Sequence, residues 1–316
     1  MKSLIKKFYY SYVRADYPLL PLTKHLRRPL RWYYHLSPVL QHDTQFHWKP
    51  FLLKTIHKTF IQNIPQDFTI FHDQIRFRSY GTDMALHGYY VGEIEYHLIQ
   101  FLANCIEPDF VMFDVGAHHG LFTTITAYIL KQNGWSGVIH SFEPFTDNFS
   151  LLQHNVSQNN AESFVELYPY AVANQVGEQN FIINQDENSD NALQSEIELD
   201  RAQRNTISHK VEVTTLDSFM PQVDHVNLIK IDVQGGEPFV LQGAQNLIAK
   251  YQPIIIVEAV QDLPSTKETQ KFLLENNYDI FGVTQDGKLC EPNSQAVFIS
   301  WDWVGIPRSR HFNFVP

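Results

Sequence analysis

The chain has 316 residues, 44% hydrophobic and 18% charged, enough for one large domain with an appendage or for two small domains. Its net charge of −10 is unevenly spread: residues 1–60 hold 11 Lys and Arg against 2 Asp and Glu, so the rest is strongly acidic, which argues against a general grip on nucleic acid. Two distant cysteines without metal-ligand spacing, no bilayer-length apolar run and no apolar signal-peptide core lead to the expectation of a reducing, cytoplasmic protein, soluble or peripheral. In chain order, MKSLIKKFYYSYVR reads as an amphipathic helix, with Leu4, Ile5, Phe8, Tyr9, Tyr12 and Val13 on one face. Prolines at 18, 21, 29 and 38 then break a stretch in which basic residues alternate with Trp32, Tyr33 and Tyr34. Residues 1–60 therefore form a basic aromatic extension, suited either to an anionic membrane surface or to docking its aromatics on the main domain.

Residues 61–316 read as a folded α/β domain. QDFTIFHDQIRFRSY alternates as a hairpin turning at His72-Asp73, and VGEIEYHLIQFLANCI follows as a helix. Strands at 111–115, 138–142, 164–168, 211–214, 226–231 and 253–257 are separated by helices at 121–132, 147–159 and 239–250 and by a long polar insertion over 184–210. A helix at 266–276 leads to strands 279–283 and 296–300, expected as an antiparallel edge hairpin turning near Asp286-Gly287. The alternation predicts a doubly wound, mostly parallel, Rossmann-like sheet covered on both faces.

In such a sheet, ligands bind beyond the carboxyl ends of the strands at the switch point. The first parallel strand opens there into DVGAHHG, where Gly116 and Gly120 allow a tight turn. A dinucleotide fingerprint needs a second glycine where His118 stands, so close approach of a pyrophosphate is blocked, and the Gly-Lys-Ser/Thr of a P-loop is missing. The next strand ends SFEP, placing Glu143 where an acid accepts hydrogen bonds from both ribose hydroxyls, a need shared by NAD and S-adenosylmethionine. The bulkier turn favours the second, which has no phosphate. His118 and His119 are adjacent and do not easily both face a cofactor. Neither a G-x-S-x-G nucleophile nor an HExxH metal spacing occurs.

FDVGAHHGLFT, HSFEPFTDNFSLLQHNVSQN, YPYAVAN, TTLDSF with VNLIKIDVQGGEPFVLQGAQNLI, and PIIIVE occur in an order that resembles the FkbM family of S-adenosylmethionine-dependent methyltransferases. The resemblance spans about Tyr90 to Phe298 and implies a class I methyltransferase fold for 61–316. It implies cofactor contacts from Asp114, Gly116, Ala117, His118 and Gly120 in the first turn, and from Glu143, Pro144 and Ala171 beyond the second strand. Tyr90 and Glu93 are expected to fold over the cofactor, although that segment also reads as a solvated helix start. Asn191 is expected at the cofactor's edge in a loop that closes over substrate. Two departures stand out: the family usually has Asn at His118 and Glu at Gln234.

Methyl transfer from a sulfonium is an in-line displacement that needs alignment and, for a hydroxyl acceptor, removal of a proton. Asp232, at the end of its strand, is expected to face the methyl group and serve both the cofactor and the acceptor. Glu258, ending the next strand, points to the same cleft. Glu237 is a candidate catalytic acid, or a favourable charge at its helix start. Asp232 and Glu258 together offer oxygen ligands that suit Mg2+, although no dedicated metal site is expected. Lys230 shares a strand face with Asp232 and should pair with an acid, in the fold or in the site. The expected function is O-methylation of a hydroxyl on a sugar, glycan, lipid-linked or small-molecule acceptor. The alternatives are a weakened or inactive methyltransferase-fold scaffold, kept open by Gln234, and an NAD-dependent oxidoreductase.

Overall fold

The computed structural model describes residues 65–70, 74–80, 95–184, 192–193, 206–260, 263–292, 297 and 302–310. The chain divides into two units, Met1–Glu95 and Tyr96–Pro316. In the first, β1 (Pro65–Ile70) and β2 (Ile75–Tyr80) pair antiparallel from Pro65↔Tyr80 to Ile70↔Ile75, and Arg78 grips its cross-strand neighbour Asp67 through both carboxylate oxygens at 2.6 and 2.7 Å. The expected turn at His72-Asp73 and the extension over 1–60 lie outside the described residues.

The second unit is built on five short parallel strands. They are β3 (Phe110–Val115), β4 (Gly137–Phe142), β5 (Val165–Tyr168), β10 (Leu228–Ile231) and β11 (Ile254–Glu258). The joining helices are α2 (Leu121–Asn133), α3 (Thr146–Gln158), α4 (Glu237–Gln242) and α5 (Gln245–Tyr251), with α1 (Tyr96–Cys105) before β3 and α6 (Pro264–Glu275) after β11. All six residues of β3 are buried, as a strand covered on both faces requires. Val111, Phe113 and Val115 point into a core shared with Ile229, Ile231 and Val257 and with Val240, Leu241, Leu247 and Ile248 of α4 and α5. Met112 and Asp114 point the other way, toward Thr126 and Thr123 of α2. Each large apolar side chain of this core contributes about 1.5–3 kcal/mol by burial.

The remaining strands are β12 (Tyr278–Val283), β13 (Leu289–Cys290) and β14 (Asp302–Pro307), giving the order β13-β12-β14-β11-β10-β3-β4-β5. The order reverses between β3 and β10, which is the switch point, and the antiparallel β14 lies between β11 and β12. This is the doubly wound, mostly parallel, Rossmann-like arrangement that the alternation predicts. The edge hairpin does turn at Asp286-Gly287, but its second strand is β13. Of the expected strand at 296–300, only Val297 is described, bridged to Thr284. The C-terminal strand lies further on, at Asp302–Pro307, and is inserted in the sheet.

Two further differences matter for the site. The expected helix over 239–250 is two helices, because Asp217 accepts from Asn246 N at 3.2 Å and Leu247 N at 2.8 Å and starts a new helix there. The polar stretch after Asn184 is not simply a loop. β7 (Gly177–Asn184) pairs antiparallel with β9 (Thr206–Thr214), flanked by β6 (Ala171–Val172) and β8 (Ala192–Leu193) in a second, four-stranded sheet. Its core of Phe181, Ile183, Leu193 and Val213 packs on Phe145 and Phe239, which follow Glu143 and Glu237 in the chain. Among the described residues no helix is long and apolar enough to cross a membrane.

Candidate active site

β3 leaves the sheet at Asp114-Val115 and turns through Gly116 at φ 74°, His118 at φ 52° and Gly120 at φ 85° before α2 begins. Left-handed backbone is the natural place for glycine. At Gly116 it is doubly required: a Cβ would lie 1.9 Å from the carbonyl oxygen of Asp232 on the neighbouring strand end. The turn is fastened to β4 by Gly116 N and Ala117 N, both donating to Phe142 O at 3.0 and 2.9 Å.

Glu143, 5% exposed, completes that fastening. Its Oε2 accepts from His118 N and its Oε1 from Phe145 N, both at 2.9 Å. Burial pushes its pKa up to about 7, against the pull of those two backbone donors and of Lys230. His119 is turned inward, with its ring 3.1 Å from Asn148 Oδ1, while the His118 ring stacks on it at 3.7 Å between centroids. Burial lowers the His118 pKa to about 4, so the imidazole is neutral. Asp114 is fully buried; Thr123 donates to its Oδ2 at 2.6 Å, and its Oδ1 has no partner among the described residues.

Across the switch point, Lys230 lies over the Phe122 ring at 5.2 Å and donates to Asp232 Oδ2 at 3.2 Å and Gly116 O at 3.3 Å. The Gln234 amide donates to Asp232 Oδ1 at 2.9 Å and to Glu258 Oε2 at 3.0 Å. Burial raises the Asp232 pKa, but Lys230 and the Gln234 N–H outweigh it and hold the carboxyl below its usual range. Glu237 is buried under the same loop, its Oε1 accepting from Val233 N at 3.2 Å and Gly235 N at 3.0 Å. One further acid arrives from β14: Asp302 is the cross-strand neighbour of Glu258, and its Oδ2 lies 3.0 Å from Nε2 of the buried His97 on α1.

The model of the Methyltransferase FkbM domain matches residues 114–280, more than half of the chain. The chain belongs to the FkbM methyltransferase family. Among solved structures it is similar to the FkbM methyltransferase of Methylobacillus flagellatus KT, at 16% identity and TM-score 0.41 over 70% of this chain and 52% of that one. It is also similar to an O-methyltransferase of Bacillus cereus in complex with SAH, at 13% identity and TM-score 0.37 over 66% and 78% of the two chains. A third is the precorrin-6y C5,15-methyltransferase of Geobacter metallireducens GS-15, at 13% identity and TM-score 0.37 over 59% and 72%. The chain spans about half the length of the Methylobacillus protein. No curated protein matches it. The family assignment rests on the domain match.

Within this FkbM domain the structure brings Asp114, Gly116, Ala117, His118, Gly120 and Glu143 into one turn, and places Asp232 and Glu258 across the switch point from it. Pro144 follows Glu143 on the half-buried edge, and Ala171 is buried in β6 of the second sheet. Glu237 sits under the loop and organises it through backbone bonds. Tyr90, Glu93 and Asn191 lie outside the described residues. Sequence reading did not single out His97, Thr123, Asn148 or Asp302. Thr123 had a readable signal: it lies on the first turn of α2, within reach of the strand it follows.

The donor set fits S-adenosylmethionine. The buried Asp114 Oδ1 has no partner among the described residues, and a carboxylate such as Glu143 has acceptor capacity beyond its backbone donors. The set does not fit Mg2+. The two acids that would ligate it are joined through an N–H donor, a lysine ammonium lies on one of them, and no metal-holding group of three or more His, Cys, Asp or Glu occurs among the described residues.

Proposed function

We propose that this chain transfers the methyl group of S-adenosylmethionine to a hydroxyl oxygen of a sugar, glycan, lipid-linked or other small-molecule acceptor. The observation that carries the reading is the acid pair Asp232–Glu258, spaced by one amide at the switch point, across from a glycine turn closed by Glu143. S-adenosylmethionine supplies an activated methyl group on a sulfonium. Glu143 accepts the ribose hydroxyls, and Asp114 Oδ1, unpaired among the described residues, takes the cofactor's ammonium group. Asp232 orients the acceptor hydroxyl. An attacking hydroxyl becomes strongly acidic only as its bond to carbon forms, so a carboxylate held at low pKa is base enough to receive the proton.

Incubation with S-adenosylmethionine and a panel of sugar and small-molecule acceptors tests this. Formation of S-adenosylhomocysteine together with an acceptor heavier by one methyl on oxygen is expected. Cofactor binding without turnover on any acceptor would support the scaffold reading instead.

Glu143 gives the site a pH signature. Its folded pKa of about 7 lies above the ordinary carboxylate value, so the cofactor-free protein protonates it as pH falls through neutrality. His118 is already neutral and Asp232 already charged there, while burial also raises the Asp114 carboxyl, whose protonation would weaken binding in the same direction. The dissociation constant for S-adenosylmethionine is therefore expected to rise about tenfold between about pH 8 and about pH 6, by the usual one decade per unit below the pKa. Calorimetric titration checks this, and a flat profile would remove Glu143 from ribose recognition.

The basic aromatic residues 1–60 fit a peripheral contact with an anionic membrane, which would bring the enzyme to a lipid-linked acceptor. Flotation with anionic vesicles is expected to carry the full chain and to leave behind a chain lacking residues 1–60. Equal behaviour of the two would exclude that role.

A further inference from the structure

Asp232 and Glu258 lie on adjacent strand ends, and an amide nitrogen stands between them. Gln234 Nε2 donates to Asp232 Oδ1 at 2.9 Å and to Glu258 Oε2 at 3.0 Å, so its two hydrogens meet two different carboxylates. The residue takes a left-handed φ of 60° to aim back at the pair, and Gly235 follows at φ 106°. An L-residue other than glycine adopts such a conformation at a cost, and retained cost of this kind clusters at functional sites. Among the described residues, the charged groups near the pair include Lys230, on the far oxygen of Asp232, Glu237 and Asp114, whose carboxyls also act on Asp232, and Asp302 with His97, beside Glu258.

We infer that Gln234 is a positioning residue whose amide occupies the place a divalent cation would take between Asp232 and Glu258. The neutral donor serves one oxygen of each acid and fixes their spacing without metal. A carboxylate at position 234 would change the balance. It would set a third acid about 3 Å from both others, and a single proton can bridge only one of those two contacts. A divalent cation with oxygen ligands bridges all three. Alanine at 234 would simply clear the place. The inference deepens the proposed methyl-transfer site, but its readout needs neither cofactor nor acceptor, so failure of the methyl-transfer reading would leave the cation result standing.

The test is titration of the full chain with Mn2+, followed by electron paramagnetic resonance. Wild type is expected to leave Mn2+ free at millimolar concentrations. Gln234→Glu is expected to bind it at least roughly 100-fold tighter, since affinity follows ligand charge count, and Gln234→Ala to fall between. Adding Asp232→Asn to Gln234→Glu should abolish the gain. If Gln234→Glu folds poorly, the smaller and neutral Gln234→Ala carries the same comparison. With an acceptor in hand, a chelator should leave wild-type turnover unchanged and slow Gln234→Glu. Wild type binding Mn2+ as tightly as Gln234→Glu, or neither variant gaining any, would overturn the inference.

Discussion

Gly116→Ala is expected to abolish cofactor binding and to lower the melting temperature by roughly 10 °C, the shift that about 4 kcal/mol produces in a domain of this size. Two separate costs add. The residue sits at φ 74°, where an L-side chain costs about 1–2 kcal/mol. The new Cβ would also fall 1.9 Å from Asp232 O and 2.9 Å from Asp232 C, and those are backbone atoms. They have little room to retreat, because Asp232 N donates to Val115 O at 3.0 Å and continues the β3–β10 ladder. Relief must come from the turn, which then loses its bonds to Phe142 and Glu143. Gly134 provides the control: it has φ 65° but nothing within 4 Å of its Cβ position. Gly134→Ala should cost only the backbone term, about 1 kcal/mol, and leave cofactor binding intact. Differential scanning calorimetry and cofactor titration of both variants check this. Equal losses would show that left-handed strain, and not contact with the Asp232 backbone, governs the turn.

The strands that carry this turn are readable from the sequence. FVMFDV and GVIHSF are short, mostly apolar runs that end at an acid or a glycine turn, as parallel strands covered on both faces must, the first buried throughout and the second over its last four residues. The second sheet offers no such pattern. The first half of β7 exposes Glu178 and Asn180, and β9 exposes Ile207, Ser208, His209 and Lys210, so only its last residues show alternation. Such strands are held by pairing across a long insertion, which a local period does not record. β14 was hidden for another reason. Gly305 and Pro307 read as turn residues, yet Gly305 lies in the sheet, where a Cβ would come within 3.2 Å of the Tyr278 ring and 3.3 Å of Leu273. Missing β14 meant missing Asp302, and with it the reason for a fully buried histidine at 97. The main acids of the candidate site were legible because they end strands. What joins them was not: Gln234 stands in the sequence only as a lost charge, whereas in the fold it donates to both acids.

Asp232→Asn is expected to lower methyl transfer by about 10²–10⁴-fold, the range for removal of a positioned proton acceptor. The two carboxylate oxygens serve two different donors, Gln234 on Oδ1 and Lys230 on Oδ2. An asparagine has one oxygen and one amino group, so one of those donors would face another donor. The larger structural effect falls on Lys230, which is 6% exposed and would keep only Gly116 O and the Phe122 ring of the partners described above. Loss of one partner from a buried pair costs about 3–5 kcal/mol; with a quarter of the Asp232 side chain accessible to water, about 2 kcal/mol is expected here. A fall in activity alone would therefore mix chemistry with folding. The double variant Lys230→Met/Asp232→Asn separates them. It removes the buried ammonium that has lost Asp232 and keeps an apolar side chain of similar length over Phe122, so it should regain most of the lost stability. Activity should stay at the level of the single variant, because the acceptor's proton still has no carboxylate to reach. Denaturant unfolding and turnover measured on the same preparations decide the matter. Recovery of both together would mean that Asp232 acts only by neutralising Lys230, and the proton would then have to go to Glu258, the other carboxylate held by Gln234.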